Sequence, residues 1–244
     1  MFKRNCLNWV IATSLCAIWP AGSSAQWIGP PVLVQQPLVD VVQLNRFASL
    51  PHDGNVQDSA KNIPPKNVAF KASLTYQPSL ERRKTNLANF VKKSRANDPV
   101  GAAEMARLFA STDIIGAIGQ GIAPAGLKVN NVADAYSVYW TSAWNASIGS
   151  TETPSRAAMT AVKKQASSAL IASPAFVSAT DAQKQEFAEA LLIQAALIDA
   201  SVEQAAGNPA QVKAVAKAVR QGAKASGLDL DAFELTEAGF VPAR

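Results

Sequence analysis

The sequence contains few of the residues on which catalytic and metal sites most often depend. Its 244 residues include two cysteines and one histidine, and both cysteines, Cys6 and Cys16, lie within the first 25 residues. Without that segment the chain has no disulfide, no thiolate metal ligand and no cysteine nucleophile. His52 is then the single imidazole. We therefore expect neither a metal nor a cofactor.

The first 25 residues have the pattern of a secretory signal peptide. Lys3 and Arg4 form a basic start, residues 7–19 are uncharged, and Ser23-Ser24-Ala25 offers small residues to a signal peptidase. The alternative is a retained membrane anchor, but about 13 uncharged residues fall short of the roughly 20 needed to span a bilayer. We predict cleavage after Ala25 and export to the periplasm or the medium. Export without disulfides is more typical of bacteria.

Composition divides the rest of the chain into two regions. Residues 26–79 are rich in proline, and β-branched residues at 32–44 and 68–76 favour short strands there. We predict an extended arm over 26–79. From residue 80 onward the apolar residues recur at helical spacing, which predicts a single all-α domain over 80–244.

Capping signals divide this domain into about six helices. Ser79, Asp98 before Pro99, and Thr180 with Gln183 are typical helix starts. Glycines predict the ends, including one after a short apolar turn that begins near Ile114. The predicted helices cover residues 80–95, 99–110, 131–149, 153–173, 180–207 and 208–227. We expect the first to bury an apolar stripe that begins at Leu80, and the second to bury Met105, Leu108 and Phe109. We expect the tail after 227 to fold back over this bundle.

Three stretches resemble a family of exported bacterial proteins of unknown function. They are residues 109–121 (FASTDIIGAIGQG), 130–136 (NNVADAY) and 181–187 (DAQKQEF), and the similarity covers about residues 74–242. The resemblance implies a bacterial source and one helical domain. It implies no activity, because the family has none assigned.

Positive charge is concentrated where the arm meets the first helix. Residues 61–95 hold nine lysines and arginines against Glu81 alone, within a chain of net charge +5. We predict a surface for an anionic envelope component, such as lipid headgroups or lipopolysaccharide, with membrane contact at most peripheral. The alternative is an ordinary solvated helix face. Nucleic acid is not expected, since few aromatic residues lie between the charges. The predicted patch consists of Arg82, Arg83, Lys92, Lys93 and Arg95.

One predicted helix carries most of the polar aromatic residues. Tyr136, Trp140 and Trp144 are spaced four apart, with Tyr139 beside them and Asp134 in the first turn. Such a stripe is most often part of a core. The alternative is a groove for a ligand or another envelope protein, because tyrosine and tryptophan combine an apolar ring with a polar group.

A catalytic alternative rests on Glu104. In lysozyme-like lytic transglycosylases a general-acid glutamate precedes a Gly-Ala-x-Gly turn by about twelve residues, and Glu104 stands in that relation to Gly116-Ala117-Ile118-Gly119. The match is incomplete, since Met105 replaces the serine that follows the family's glutamate. Elsewhere, Glu186, Glu189 and Asp199 share one helix, but no histidine or cysteine can join them as metal ligands. We therefore predict an exported, non-catalytic binding protein, with glycan cleavage as the alternative.

Overall fold

The computed structural model describes residues 73–225 and 228–243. The predicted signal peptide and most of the predicted arm, including the possible strand at 32–44, lie outside these ranges. Helices make up 72% of the described residues, and the remainder includes a two-stranded sheet. The prediction of a mainly helical body is confirmed, whereas the sheet was not predicted.

Seven helices of at least nine residues form the described part of the body, together with a single turn of helix, α6. In chain order they are α1 Leu80–Ser94, α2 Pro99–Ser111, α3 Ile114–Ile122, α4 Val132–Ser147, α5 Arg156–Ala172, α6 Pro174–Val177, α7 Asp181–Ala205 and α8 Pro209–Ala225. The predicted caps are present: Ser79 and Asp98 each accept a hydrogen bond from the first turn of their helix. Thr180 and Gln183 form the predicted capping box. α5 begins later than predicted, because Ser155 rather than Thr153 is its N-cap.

The glycine-rich stretch lies partly inside a helix. Gly119, Gly121 and Pro124 were expected to end a short apolar turn, and this turn is helix α3, which includes both glycines and ends at Ile122. A side chain at Gly119 would come within 3.2 Å of Val129, so this glycine allows close packing inside the helix. The left-handed conformation that glycine favours occurs later, at Gly126 with φ of 77°.

α2 is less buried than its sequence suggested. Met105, Leu108 and Phe109 were expected in the core, but they lie partly exposed at its edge, and Gly101 and Ala102 are the buried residues of this helix. Leu80 of α1, predicted to begin an apolar stripe, is 69% exposed. Phe90 and Val91 make the inward contacts of that stripe instead.

α4 and α7 form the centre of the domain. Nearly every residue of α4 is buried, and α7 packs along it with alanines and leucines on several faces. Alanines of both helices are among the buried residues of this pair. α5, α8 and the C-terminal residues cover the remaining sides of this pair.

The C-terminal residues form an antiparallel hairpin, β1 Phe233–Thr236 and β2 Gly239–Pro242. Trp144 donates a hydrogen bond from Nε1 to the Phe233 carbonyl at 2.9 Å, and Phe240 stacks on Trp140 with ring centres 4.4 Å apart. The side chain of Gln165 bonds both the N–H and the carbonyl of Phe240. The tail therefore folds back over the bundle, as predicted, and does so as paired strands.

The last residues of the predicted arm belong to this body. Thr75 forms an antiparallel bridge with Asn131, and Tyr76 is buried with its hydroxyl donating to the Val129 carbonyl. Within the described ranges, every helix is too short or too polar to cross a membrane.

Candidate functional site

The buried side chain of Glu189 organises the junction of α1 and α7. Glu189 is fully buried, and Arg83 Nε lies 3.0 Å from its Oε1. Asn86 and Gln185 donate further hydrogen bonds at 2.7 and 2.9 Å. Arg82 also turns inward, to the side-chain oxygen of Gln185. Two members of the predicted basic patch thus hold α1 to α7.

The other three members of the patch lie at the exposed end of α1. Lys92, Lys93 and Arg95 are exposed, and Lys93 lies 3.8 Å from Glu186. Positive charge at a helix C-terminus also offsets the helix dipole. The patch available to an anionic partner is therefore smaller than predicted.

The predicted aromatic groove lies mostly inside the core. Tyr136 and Trp140 are each 2% exposed, Tyr139 is also buried, and Trp144 is partly covered by the hairpin. Burial raises the pKa of the Tyr136 and Tyr139 hydroxyls, since the charged forms would lose their solvation. These rings therefore pack the core, and we do not assign them to a binding site.

The contacts of Asp134 also hold parts of the domain together. Its carboxylate is fully buried, pairs with Lys163 at 2.7 Å and accepts the Lys128 backbone N–H at 2.9 Å. These contacts connect the start of α4 to α5 and to the preceding loop. They leave Asp134 little freedom to orient a ligand.

Glu104 is placed on the partly exposed helix α2. A shared cleft with Tyr136 or Trp140 would have favoured the glycan-cleaving alternative, but both rings are buried, and Phe233 and Phe240 of the hairpin pack on Trp140. Glu104 lines neither of two cavities among the described residues, one between α4 and α7 and a smaller one between α1 and α7.

The larger of these cavities is a cleft between the second halves of α4 and α7. Its volume is about 60 Å³. The apolar wall contains Ile122, Leu127, Val138, Met159 and Val202. The polar side contains hydroxyl and amide groups from α4 and from the loop after it, together with Asp199, Glu203 and Glu152. Among the described residues, no lysine or arginine lines this cleft.

Asp199 is the central polar group of the cleft. The hydroxyl of Ser142 donates to its Oδ2 at 3.1 Å. Burial raises the pKa of Asp199 to about 7, and the hydrogen bond from Ser142 opposes that rise only in part. Asp199 is therefore close to half-ionised at neutral pH.

The mouth of the cleft is formed by the loop between α4 and α5. Gly149 ends α4 with φ of 70°, a left-handed conformation that turns the chain back toward the helix. Asn145 then holds the loop by donating from Nδ2 to the Glu152 carbonyl at 2.8 Å. This bond keeps Glu152 beside the cleft.

Sequence reasoning did not identify this cleft. It placed Asp199 on the long helix but considered it only as a metal ligand. In the described ranges, no group of three acidic, histidine or cysteine side chains is arranged to hold a metal ion. The available signal was weaker: a lone aspartate in the apolar part of a helix must find a polar partner.

The fold and the cleft together define a mainly helical domain with one small acidic cleft and a C-terminal hairpin. A comparison with protein families gives its membership: residues 13–242 match a family of unknown function, DUF6683, and the chain belongs to that family. The match begins well before residue 74, where the resemblance was expected to start. It therefore includes the predicted arm.

No curated protein and no solved structure matched the chain.

Proposed function

We propose that this chain is an exported bacterial protein of the cell envelope that binds a partner and does not catalyse a reaction. The cleft between α4 and α7 supports this proposal, because it is a pre-formed concave site on the two central, most buried helices of the domain. The partner in this proposal is another envelope protein or peptide that inserts one small group beside Asp199. Export rests on the signal pattern of residues 1–25.

The size of the cleft favours binding of a small group over cleavage of a glycan. A cavity of roughly 150 Å³ holds one benzene ring. The cleft, at about 60 Å³, is too small to enclose a sugar ring. It has room for the end of a chain while the rest of the partner stays outside.

Binding at the cleft can be tested by photo-crosslinking. A photoreactive residue in place of the exposed Glu203 should give an adduct of defined mass in cells, and Asp199→Asn in the same chain should remove it. The matched control places the same photoreactive residue at Glu234, which is exposed on β1. An adduct that survives Asp199→Asn, or that forms equally at residue 234, would locate the partner elsewhere.

Export and the absence of catalysis need separate measurements. Mass spectrometry of the protein from cell fractions should give an N-terminus at Gln26 outside the cytoplasm, and an intact Met1 would overturn export. Purified peptidoglycan should release no soluble fragments when incubated with the protein. Release that disappears in Glu104→Gln would instead establish the glycan-cleaving alternative.

Exposure of Lys92, Lys93 and Arg95 supports a second contact, with an anionic surface. Each cation near such a surface contributes about 1 kcal/mol, and the attraction extends about 8 Å at physiological salt. This contact would keep the protein near the envelope without selecting a partner.

A further inference from the structure

We propose that the cleft between α4 and α7 binds an alkylammonium group, with the ammonium on Asp199 and Ser142 and its methylene stem along the apolar wall. This inference rests on the proposed binding function and adds the chemical class of the ligand. The ammonium would belong to a lysine-like side chain of a partner or to a free polyamine.

The charge of the cleft selects for a cation. Asp199 and Glu203 from α7 and Glu152 from the loop are the charged side chains that line it, and α3, α4 and α5 contribute uncharged groups. Two other buried carboxylates on these helices are paired: Glu189 with Arg83, and Asp134 with Lys163. Among the described residues, Asp199 has no such basic partner. A cationic ligand would supply one.

The distribution of the polar groups selects an organic cation over a metal. A metal ion needs several oxygen ligands converging on one point. The carboxylates of the cleft do not form such a group. An ammonium group needs fewer contacts, since it donates three hydrogen bonds in adjustable directions.

The shape of the cleft selects an alkyl stem. The apolar residues of the lining are aliphatic apart from Met159, and both kinds of side chain suit methylene groups. A volume of about 60 Å³ accommodates a few water-sized groups, enough for an ammonium and the first methylenes. The side chain of lysine has this combination, and so does the end of a polyamine.

The raised pKa of Asp199 makes this binding dependent on pH. The ammonium stays charged between pH 5 and pH 8, while the carboxyl becomes ionised as pH rises through about 7. Because the ligand prefers the ionised carboxylate, affinity should rise over this interval. With a pKa near 7, binding at pH 5.5 should be about 30-fold weaker than at pH 8.

The experiment measures binding of defined amines to the full purified chain by calorimetry and by the shift in Tm. The probes are spermidine, Nα-acetyl-lysine methylamide and its Nε-acetylated analogue, each at pH 8 and pH 5.5 in low salt. We expect binding of an amine at pH 8, weaker binding at pH 5.5, and none of the acetylated analogue. A preference for spermidine indicates a free polyamine, and a preference for the lysine derivative indicates a protein or peptide partner.

Two variants complete the test. Asp199→Asn should remove amine binding, whereas Asp231→Asn, which changes an exposed aspartate beside Arg220, should leave it unchanged. Equal binding by wild type and Asp199→Asn, or no binding of either amine, would overturn the proposal. A crosslink at residue 203 that persists when no amine binds would leave the binding function standing and refute only the ligand class.

Discussion

Two acidic residues on the same helix show how environment separates a structural carboxylate from one suited to binding. Glu189 and Asp199 both lie on α7 and both point into seams between helices. Glu189 receives Arg83, Asn86 and Gln185, so its charge and its hydrogen-bonding capacity are met within the domain. Asp199 receives the hydroxyl of Ser142 and faces a cleft. The first carboxylate stabilises the fold, and the second is the group to which we assign the proposed ligand.

The strongest test of this contrast is the removal of Glu189. Glu189→Ala should lower the free energy of unfolding by about 3 kcal/mol, because it removes the fully buried carboxylate to which Arg83, Asn86 and Gln185 donate. Among the described residues, Arg83 then keeps only Asp113, whose exposed carboxylate lies 3.4 Å away, as a counter-ion. Denaturant unfolding at pH 7.5 measures this change. Glu186→Ala is the control: its carboxylate is partly exposed and lies 3.8 Å from Lys93, so the change should stay below about 1 kcal/mol. A mild effect of Glu189→Ala would show that Asp113 and solvent together satisfy Arg83.

Replacement of Asp199 should raise the free energy of unfolding, whereas replacement of Glu189 should lower it. Asp199→Asn should raise the free energy of unfolding at pH 8 by about 1–2 kcal/mol, because an amide in the same place needs no counter-ion. This stabilisation is smaller than the free energy that corresponds to the full pKa shift of Asp199, because the carboxyl is partly exposed to the cleft.

The carboxyl group of Asp199 also makes the free energy of unfolding depend on pH. The pKa of Asp199 in the folded protein, about 7, lies above the ordinary aspartate value of 3.8, so the folded state holds the proton more tightly. Its contribution to stability is therefore full below pH 4 and declines as pH rises to about 7. Unfolding curves from pH 4 to pH 8 should show a decline that is smaller in Asp199→Asn. Identical slopes would mean that Asp199 titrates normally.

Capping signals and hydrophobic periodicity predicted much of the fold, but they could not show which residues contact Glu189 and Asp199. Ser79, Asp98 and Thr180 fix helix starts through local hydrogen bonds, and such short-range chemistry is visible in the sequence. The partners of Glu189 and Asp199 are long-range: Arg83 and Ser142 stand 106 and 57 positions away. At about 100° per residue, ten residues turn the helix by about 280°, so the two carboxylates face different seams.

A smaller effect should follow the loss of the Ser142 hydroxyl. Its hydrogen bond favours the ionised form of Asp199, so Ser142→Ala should raise the pKa of Asp199 further. We expect a loss of about 1–2 kcal/mol in the free energy of unfolding at pH 8 and less at pH 5. In the Asp199→Asn background this difference between pH values should disappear. A loss independent of pH would assign Ser142 to packing alone.

The smallest effect on stability is expected at the exposed end of α1. Lys92→Glu with Arg95→Glu should change the free energy of unfolding by less than about 1 kcal/mol, mainly through the helix dipole. Binding to anionic vesicles should be weak, reversed by half-molar salt, and absent in this variant. Arg82 is left unchanged because its bond to Gln185 would confuse folding with binding. Binding that persists in the variant would exclude this surface.

The C-terminal hairpin determines how early during synthesis the core of the domain can form. Phe233 and Phe240 cover Trp140, so residues near position 240 must be present before the middle of the chain has its final surroundings. A growing polypeptide made from the N-terminus therefore reaches its native core only after nearly all of the described sequence has left the ribosome. Until then Trp140 and Trp144 lack their contacts with Phe240. A core that closes this late would suit the export proposed above, because a channel in the membrane would receive a chain that has not finished folding.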